Sequence, residues 1–103
     1  MFRNCGVSWY GAGKKAQIEI GKDLKKFFSE DQREITIFIN HKKYYSTLPD
    51  SFFSSCKHLR TAYDQPSVKG INRLHEWVIQ HSVSKARLEI LMEHKEYRLS
   101  KIE

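Results

Sequence analysis

Alternating apolar residues predict several short β-strands along this chain. In the segment AQIEI, the side chains of Ala16, Ile18 and Ile20 share one face. Gln17 and Glu19 take the opposite face, and this period of two is typical of a strand with one side buried. The upstream segment VSWY alternates in the same way and is followed by the flexible GAGKK. These segments predict the first two strands.

The clearest strand is EITIFIN, in which Ile35, Ile37 and Ile39 lie on one face. Asn40 begins a turn into KYYSTL, which we expect to be its hairpin partner. Pro49 ends that partner strand. The following segment, DSFFSSCKHLR, is either a short helical turn or an irregular arm.

The C-terminal part of the chain predicts another β-hairpin. In ARLEILME, four apolar residues alternate with polar ones, and they are Ala86, Leu88, Ile90 and Met92. A turn at His94–Lys95 leads into EYRLSKI, the last predicted strand.

Apolar residues at helical spacing predict two helices. In DLKKFF, Leu24, Phe27 and Phe28 lie at positions i, i+3 and i+4, and Asp23 is a candidate N-cap. The residues with helical spacing in VKGINRLHEWVIQH are Ile71, Leu74, Trp77 and Val78. This second segment is the clearest helix of the chain.

The predicted order is β-β-helix-β-β-loop-helix-β-β. This order predicts an α+β fold that is mainly β, built on an antiparallel, barrel-like sheet with two short helices. The pattern is not one of alternating βαβ units, so a doubly wound parallel sheet is not expected. The length of 103 residues fits a single domain over residues 1–103.

The charge of the chain favours a polyanionic partner. Lysine and arginine outnumber aspartate and glutamate by 18 to 12. The excess is even along the chain, with no basic tail. Such a field attracts nucleic acid or an acidic membrane surface, although it is also compatible with a basic protein that binds neither.

Cysteine content and hydropathy indicate the cellular compartment in which we expect the protein. Two cysteines do not form a disulfide scaffold. No apolar run approaches the roughly 20 residues of a membrane span, and the N-terminal MFRNCGVSWYGAG lacks the apolar centre of a signal peptide. We therefore expect a cytoplasmic location with reduced thiols and no membrane partner.

The cysteines and histidines provide little support for catalysis or metal binding. Cys56 and His58 would share a face of an extended strand, but no third group completes a nucleophilic site. A structural zinc site needs four ligands, usually in two close pairs. Cys56 with His58 is one loose pair, Cys5 is isolated, and His75 and His81 lie on different faces of a helix. We expect a small packing residue at Cys56, and no metal or other cofactor.

The sequence contains only incomplete motifs for two further functions, metal-dependent nuclease activity and phosphate binding by a glycine-rich loop. A metal-dependent nuclease needs clustered carboxylates, and Glu19-x-x-Lys22 is not the tight acid-x-lysine strand pattern of such enzymes. Gly11 and Gly13 in WYGAGKK lack the full Walker spacing, but they can form a mobile basic loop that contacts a polyanion backbone. We therefore expect a domain without catalytic activity of its own.

Basic residues interleaved with aromatic and hydroxyl residues form the most informative pattern. They recur in SWYGAGKK, HKKYYST and SFFSSCKHLR, all in predicted loops or strand edges. Phosphates are contacted by lysine, arginine, hydroxyls and backbone N–H groups, while arginine, asparagine, glutamine and lysine read base edges. Part of the pattern is core, because Phe52 and Phe53 are better suited to burial. The pattern nevertheless favours nucleic-acid binding.

The element order and four segments resemble the B3-type DNA-binding pseudobarrel. The segments are AQIEIGKDLKKFF, EITIFIN, KYYSTLPDSFFSSCKHLR and the final hairpin. The likeness is to the version that serves as the recognition domain of some prokaryotic restriction endonucleases. It implies an open antiparallel pseudobarrel of the seven-stranded type, with two arms that grip the major groove of double-stranded DNA.

The resemblance also implies roles for particular residues. The first arm would lie around residues 8–15 and the second around residues 44–60. The DNA-binding residues would be Trp9, Tyr10, Lys14, Lys15, Lys42, Lys43, Tyr44, Ser46, Thr47, Lys57, His58 and Arg60. Among them the five lysines would hold phosphates, and the bases would be read by Trp9, Tyr10, Ser46, Thr47, His58 and Arg60. The chain contains no segment resembling a nuclease domain, so cleavage would need a separate domain or subunit.

Three alternatives to duplex recognition remain open at the level of sequence. The chain could bind RNA or single strands, with its tyrosines as stacking platforms. It could be a small basic domain that docks on an acidic protein. It could also be a small nuclease, which would show cleavage that depends on a divalent metal.

Overall fold

The strands follow the alternation of apolar residues in the sequence. The computed structural model of the chain describes residues 2–54 and 57–102. The strands are β1 Phe2–Tyr10, β2 Lys15–Glu19, β3 Glu34–Ile39, β4 Lys42–Thr47, β5 His58–Leu59, β6 Lys85–Met92 and β7 Glu96–Lys101. The helices are a 3₁₀ helix, Lys22–Phe27, and two α-helices, α1 Asp50–Ser54 and α2 Arg73–Gln80. The predicted mainly β fold is confirmed, with α1 and β5 in the segment for which a helical turn or an irregular arm was expected.

The strands form one curled, open sheet with the shape of a half-barrel, in the order β4-β3-β7-β6-β1-β2-β5. Five neighbouring pairs are antiparallel, but β3 and β7 run parallel. The prediction of a wholly antiparallel sheet was therefore wrong at this pair. β6 runs antiparallel to β1, and β7 runs antiparallel to β6, so β7 has the direction of β1. β3 has that same direction, and its pairing with β7 is therefore parallel. The predicted two helices are also one too few for the described chain.

One backbone bridge spans the opening of the half-barrel. Beyond β5 the chain continues toward β4, at the other edge of the sheet. The N–H of Tyr45 donates to the carbonyl of Tyr63, and the N–H of Tyr63 donates back to the carbonyl of Tyr45, both at 2.8 Å. The hydroxyls of Ser46 and Thr61 also lie 2.9 Å apart. The two edge strands are thus connected through residues 61–63.

The concave side of the sheet holds the core. The three isoleucines of β3 are buried, as predicted, together with Leu88 of β6 and Leu99 of β7. Helix α2 packs against β2 and buries Leu74, Trp77 and Val78. The side chain of Asn72 caps this helix by accepting a hydrogen bond from the N–H of Leu74. Ile71, expected on the apolar face of the helix, precedes it and is exposed.

The first helix differs in type from the prediction. It is a 3₁₀ helix whose N-cap is Gly21, with φ of 77°, and Asp23 lies inside the first turn rather than capping it. Leu24, Phe27 and Phe28 are buried as expected. The ring of Phe28 stacks on Tyr97 with centroids 4.5 Å apart. Hydrophobic packing, rather than side-chain capping, therefore holds this helix on the sheet.

The end of β6 departs from the expected alternation. Ala86 and Leu88 are buried, but Ile90 is only partly buried and Met92 is exposed. The pairing of β6 with β7 shifts between Ile90 and Met92, and such a bulge ends the strict inward alternation. The predicted turn at residues 94–95 is present, with His94 at φ of 70°. None of the helices in residues 2–54 and 57–102 has the length and apolar character required to cross a bilayer.

We expect Trp77→Ala to destabilise the fold by about 3–5 kcal/mol, because it empties a large buried volume between α2 and the sheet. Urea denaturation followed by circular dichroism would measure the loss. Ile79→Ala on the same helix is the control, since Ile79 is 54% exposed. Equal losses for the two variants would contradict the assignment of the buried face.

Candidate nucleic-acid interface

Four side chains form a connected cluster on the convex side of the sheet. The side-chain amide of Gln17 donates to the hydroxyl of Ser8 at 3.0 Å. The Nε of Arg60 donates to the side-chain carbonyl of Gln17 at 2.8 Å. The guanidinium of Arg60 lies over the ring of Tyr10, 4.4 Å from its centroid. We call Ser8, Tyr10, Gln17 and Arg60 the outer polar cluster.

Strand register brings these residues together. Ser8 lies directly opposite Gln17 in the pairing of β1 with β2. Ile18 lies opposite Leu59 in the pairing of β2 with β5, so Arg60, the next residue, reaches Gln17. Because side chains alternate along a strand, the inward positions of Ile18 and Leu59 put Gln17 and Arg60 on the other face.

Gln17 is buried, although its position on the polar face of β2 predicted exposure. Its amide satisfies both a hydroxyl and a guanidinium, which offsets the loss of contact with water. The ring of Tyr10 and the carbonyl of Gln17 together hold the Arg60 guanidinium in one orientation. An arginine fixed in this way loses less conformational freedom when it binds a planar partner.

Lys14 and Lys15 lie beside the outer polar cluster. The β1–β2 turn contains three successive residues with positive φ, Gly11, Ala12 and Gly13. Lys15 is directly opposite Tyr10 in the ladder, and both lysines are exposed. The hairpin therefore presents two cations next to the fixed arginine.

Trp9 and Tyr10, which were grouped by sequence, lie on opposite faces of β1. Trp9 contacts His75 of α2 edge to face, with ring centroids 6.2 Å apart. His75 also accepts a hydrogen bond through Nδ1 from the N–H of Ala16, at 3.1 Å. Trp9 is 47% exposed at the side of α2, away from the outer polar cluster.

The candidate residues of β4 divide between the two faces. Lys42, Lys43 and Thr47 are exposed, and Lys43 places its Nζ 5.7 Å from the ring centroid of Tyr45. Tyr44 packs against the core, and Ser46 is buried and hydrogen-bonded to Thr61. The structure thus presents the two lysines and Thr47 to solvent and uses Ser46 for packing.

Lys57 and His58 lie at the end of β2 remote from Lys15. The carbonyl of Lys57 accepts hydrogen bonds from the N–H groups of Ile20 and Gly21. His58 is opposite Glu19 in the ladder. Partial burial and the nearby charge of Arg60 lower the pKa of His58 below its usual 6.5, although Glu19 acts in the other direction. The imidazole is therefore mainly neutral at pH 7.

The described residues bear on only part of the thiol and metal chemistries considered from sequence. Burial raises the pKa of the Cys5 thiol to about 11, so it is protonated at neutral pH. Cys56 lies outside the described residues. No group of three or more histidine, cysteine, aspartate or glutamate side chains within residues 2–54 and 57–102 is arranged to hold a metal ion.

Sequence reasoning missed Gln17 as a candidate functional residue. Its position on the polar face of a strand was the available signal. The ladder register that puts it between Ser8 and Arg60 depends on β5, a strand of two residues that alternation cannot reveal. Comparison with protein-family models, curated proteins and solved structures finds no match for this chain.

We expect Arg60→Gln to raise the pKa of His58, because it removes the positive charge that opposes imidazole protonation. An NMR titration of the His58 ring would measure the change. Arg87→Gln removes an arginine from β6 and should leave the His58 titration unaltered. An unchanged His58 pKa in Arg60→Gln would show that the charge of Arg60 does not act on the His58 ring.

Proposed function

We propose that this chain is a sequence-specific double-stranded DNA-binding domain. Arg60 of the outer polar cluster contacts a base edge in the major groove, and Lys14 and Lys15 contact the adjacent phosphates. The observation that carries the proposal is the Arg60 guanidinium, which Tyr10 and Gln17 hold beside an exposed lysine hairpin.

The chemistry of the cluster matches base recognition. Arginine donates two parallel hydrogen bonds to guanine. Gln17, whose amide is already bonded to Ser8 and Arg60, orients this arginine and does not itself contact a base. A side chain that is already oriented discriminates better, because a wrongly placed acceptor leaves its donors unpaired. The net charge of +6 supplies the attraction to the phosphate backbone that does not depend on sequence.

The other candidate residues have supporting roles in this proposal. Lys42, Lys43 and Lys57 add phosphate contacts at the edges of the bound duplex. His58 follows Lys57, and the exposed Thr47 ends β4. The segment resemblance to B3-type domains is compatible with this arrangement. In this proposal the domain is the recognition module of a restriction or defence system, and a separate nuclease domain or subunit performs cleavage.

A second candidate is an RNA- or single-strand-binding module. The observation that favours it is the exposed ring of Trp9, which offers a stacking surface for an unpaired base. Competition of duplex DNA, single-stranded DNA and RNA for the same protein separates the two candidates. Preference for single strands, lost in Trp9→Ala, would support the second candidate against the first.

The direct test is selection from a pool of duplexes with a randomised core, followed by filter binding of the enriched duplex at several salt concentrations. The logarithm of the binding constant should fall linearly with the logarithm of salt concentration, by about 0.9 for each phosphate neutralised. Absence of an enriched motif, or duplex binding that is insensitive to salt, would overturn the proposal.

We expect Arg60→Ala to cost about 1–3 kcal/mol of affinity for the enriched duplex and to relax preference at one base pair. Arg60→Lys keeps the charge but loses the planar fork, so it should lose most of the same specificity. Arg98→Ala on β7 is the control for the loss of an exposed arginine. Circular dichroism checks the fold, and unfolding of both Arg60 variants would mean that Arg60 has a structural role instead.

We expect Lys14→Gln to weaken binding to the enriched and scrambled duplexes by a similar factor. The salt slope should become about 0.9 less steep, because one phosphate contact is lost. Filter binding with both duplexes measures the two quantities. If the change affected the enriched duplex alone, Lys14 would read a base and its proposed phosphate role would be wrong.

A further inference from the structure

A cleft of about 670 Å³ lies between the sheet and the segment that follows β5. Residues of β3 and β4 form one side of it, and residues 61–69 form the other. Its size falls in the range of clefts that hold small organic molecules or nucleotides. It shares no lining residue with the outer polar cluster, so it is a separate site.

Several contacts hold the 61–69 side of the cleft in place. The backbone bridge between Tyr45 and Tyr63 closes one end. Ser67 donates from its hydroxyl to the carboxylate of Glu34 on β3, at 2.5 Å. Asp64, at the start of the loop, pairs with Arg73 of α2 at 3.0 Å. The cleft is therefore formed without a ligand, which lowers the entropic cost of binding.

The lining combines aromatic rings with groups that donate and accept hydrogen bonds. Tyr45 and Tyr63 are both half-buried and supply ring surface. Thr36, Thr47 and the exposed Gln65 provide hydroxyl and amide groups around them. Aromatic faces bind planar heterocycles by stacking, and polar groups near them can pair with the edges of such rings.

Two lysines add positive charge at the cleft. Lys69 of the loop and Lys95, just before β7, both belong to the lining and are exposed. Among the described residues that line the cleft, Glu34 alone carries a carboxylate, and it is engaged by Ser67. This balance favours an anionic ligand over a cation. The size of the cleft and its two rings favour an anion that carries an aromatic group over a bare oxyanion.

We infer that this cleft binds a nucleotide unit, with the base against Tyr45 and Tyr63 and the phosphate near Lys69 and Lys95. The unit comes either from a free mononucleotide or from an unpaired nucleotide within a strand. Both sources present the same planar base and the same phosphate. This inference does not depend on duplex binding through the outer polar cluster, because none of the residues of that cluster lines the cleft.

The test is a titration of the ¹⁵N-labelled protein with the four deoxynucleoside monophosphates, with a short single-stranded oligonucleotide and with inorganic phosphate. Amide signals of residues 34–36, 45–47 and 61–69 should shift with a nucleotide or with the oligonucleotide, but not with phosphate alone. Shifts with monophosphates identify the free source, and shifts with the oligonucleotide alone identify a nucleotide within a strand. Absence of cleft shifts in all arms, or equal shifts with phosphate, would overturn the inference.

Substitutions separate the base contact from the phosphate contact. Tyr63→Ala should weaken nucleotide binding about 5- to 100-fold through the loss of stacking. Lys69→Gln, at an exposed position, should weaken nucleotide binding about two- to fivefold. Lys101→Gln, at the end of β7 and outside the cleft, is the charge-matched control. Equal weakening by Lys69→Gln and Lys101→Gln would mean that the effect reflects the overall charge of the protein. The phosphate site would then be rejected.

Filter binding of the enriched duplex to the same variants distinguishes this inference from the proposed function. Lys69→Gln should leave specific duplex affinity within about twofold while it weakens nucleotide binding. Loss of duplex binding in Arg60→Ala, with nucleotide shifts retained, would support two independent sites. If the nucleotide titration failed while duplex binding was intact, the nucleotide site in the cleft would be rejected and the proposed duplex binding would not.

Discussion

Residues 57–63 are the element on which the rest of the structure depends. On one side this segment pairs with β2 through His58 and Leu59, and on the other side Tyr63 pairs with β4. Asn72 accepts from the N–H of Ala62 and donates to the carbonyl of Arg60, so α2 is fastened to the same segment. Without these bonds the edges of the half-barrel would separate, and both Arg60 and the cleft would lose their positions.

Asn72 shows how much a single side chain contributes to this arrangement. Its carbonyl oxygen accepts from Ala62 and also caps α2 at Leu74, while its amide donates to the backbone of Arg60. An aspartate could retain the two accepted bonds but could not donate to the Arg60 carbonyl. This position therefore favours asparagine over aspartate, although Asn72 belongs neither to the outer polar cluster nor to the lining of the cleft.

Local patterns in the sequence were sufficient for most of the fold. Period-two runs located β2, β3 and β6, and helical spacing located α2, because each element buries one face against the core. The turn after β3 located β4 as its hairpin partner. The parallel contact of β3 with β7 could not be predicted, since strand direction within a sheet depends on which distant strands pair. Strand β5 was missed because its two residues are too few to show a period.

The candidate site was predictable only in part, for the same reason. The basic and aromatic segments contain Tyr10, Lys15 and Arg60, which lie close together in the structure. They also grouped Trp9 with Tyr10, whose rings face opposite sides of β1. Adjacent residues on a strand point in opposite directions, so proximity in sequence is a poor guide to a shared surface. Gln17 could be recognised as a candidate only from the strand pairing, which places it between Ser8 and Arg60.

The distribution of charge explains why fixed polar groups, rather than lysines, must carry any specificity. The positive excess is spread evenly over the chain, and mobile exposed lysines attract every nucleic acid to a similar extent. Discrimination needs donors and acceptors whose positions are set before binding, so that an incorrect partner leaves them unpaired. The outer polar cluster meets this condition, because each of its members is held by another member. The ring of Tyr10 orients Arg60, Arg60 orients Gln17, and Gln17 orients Ser8.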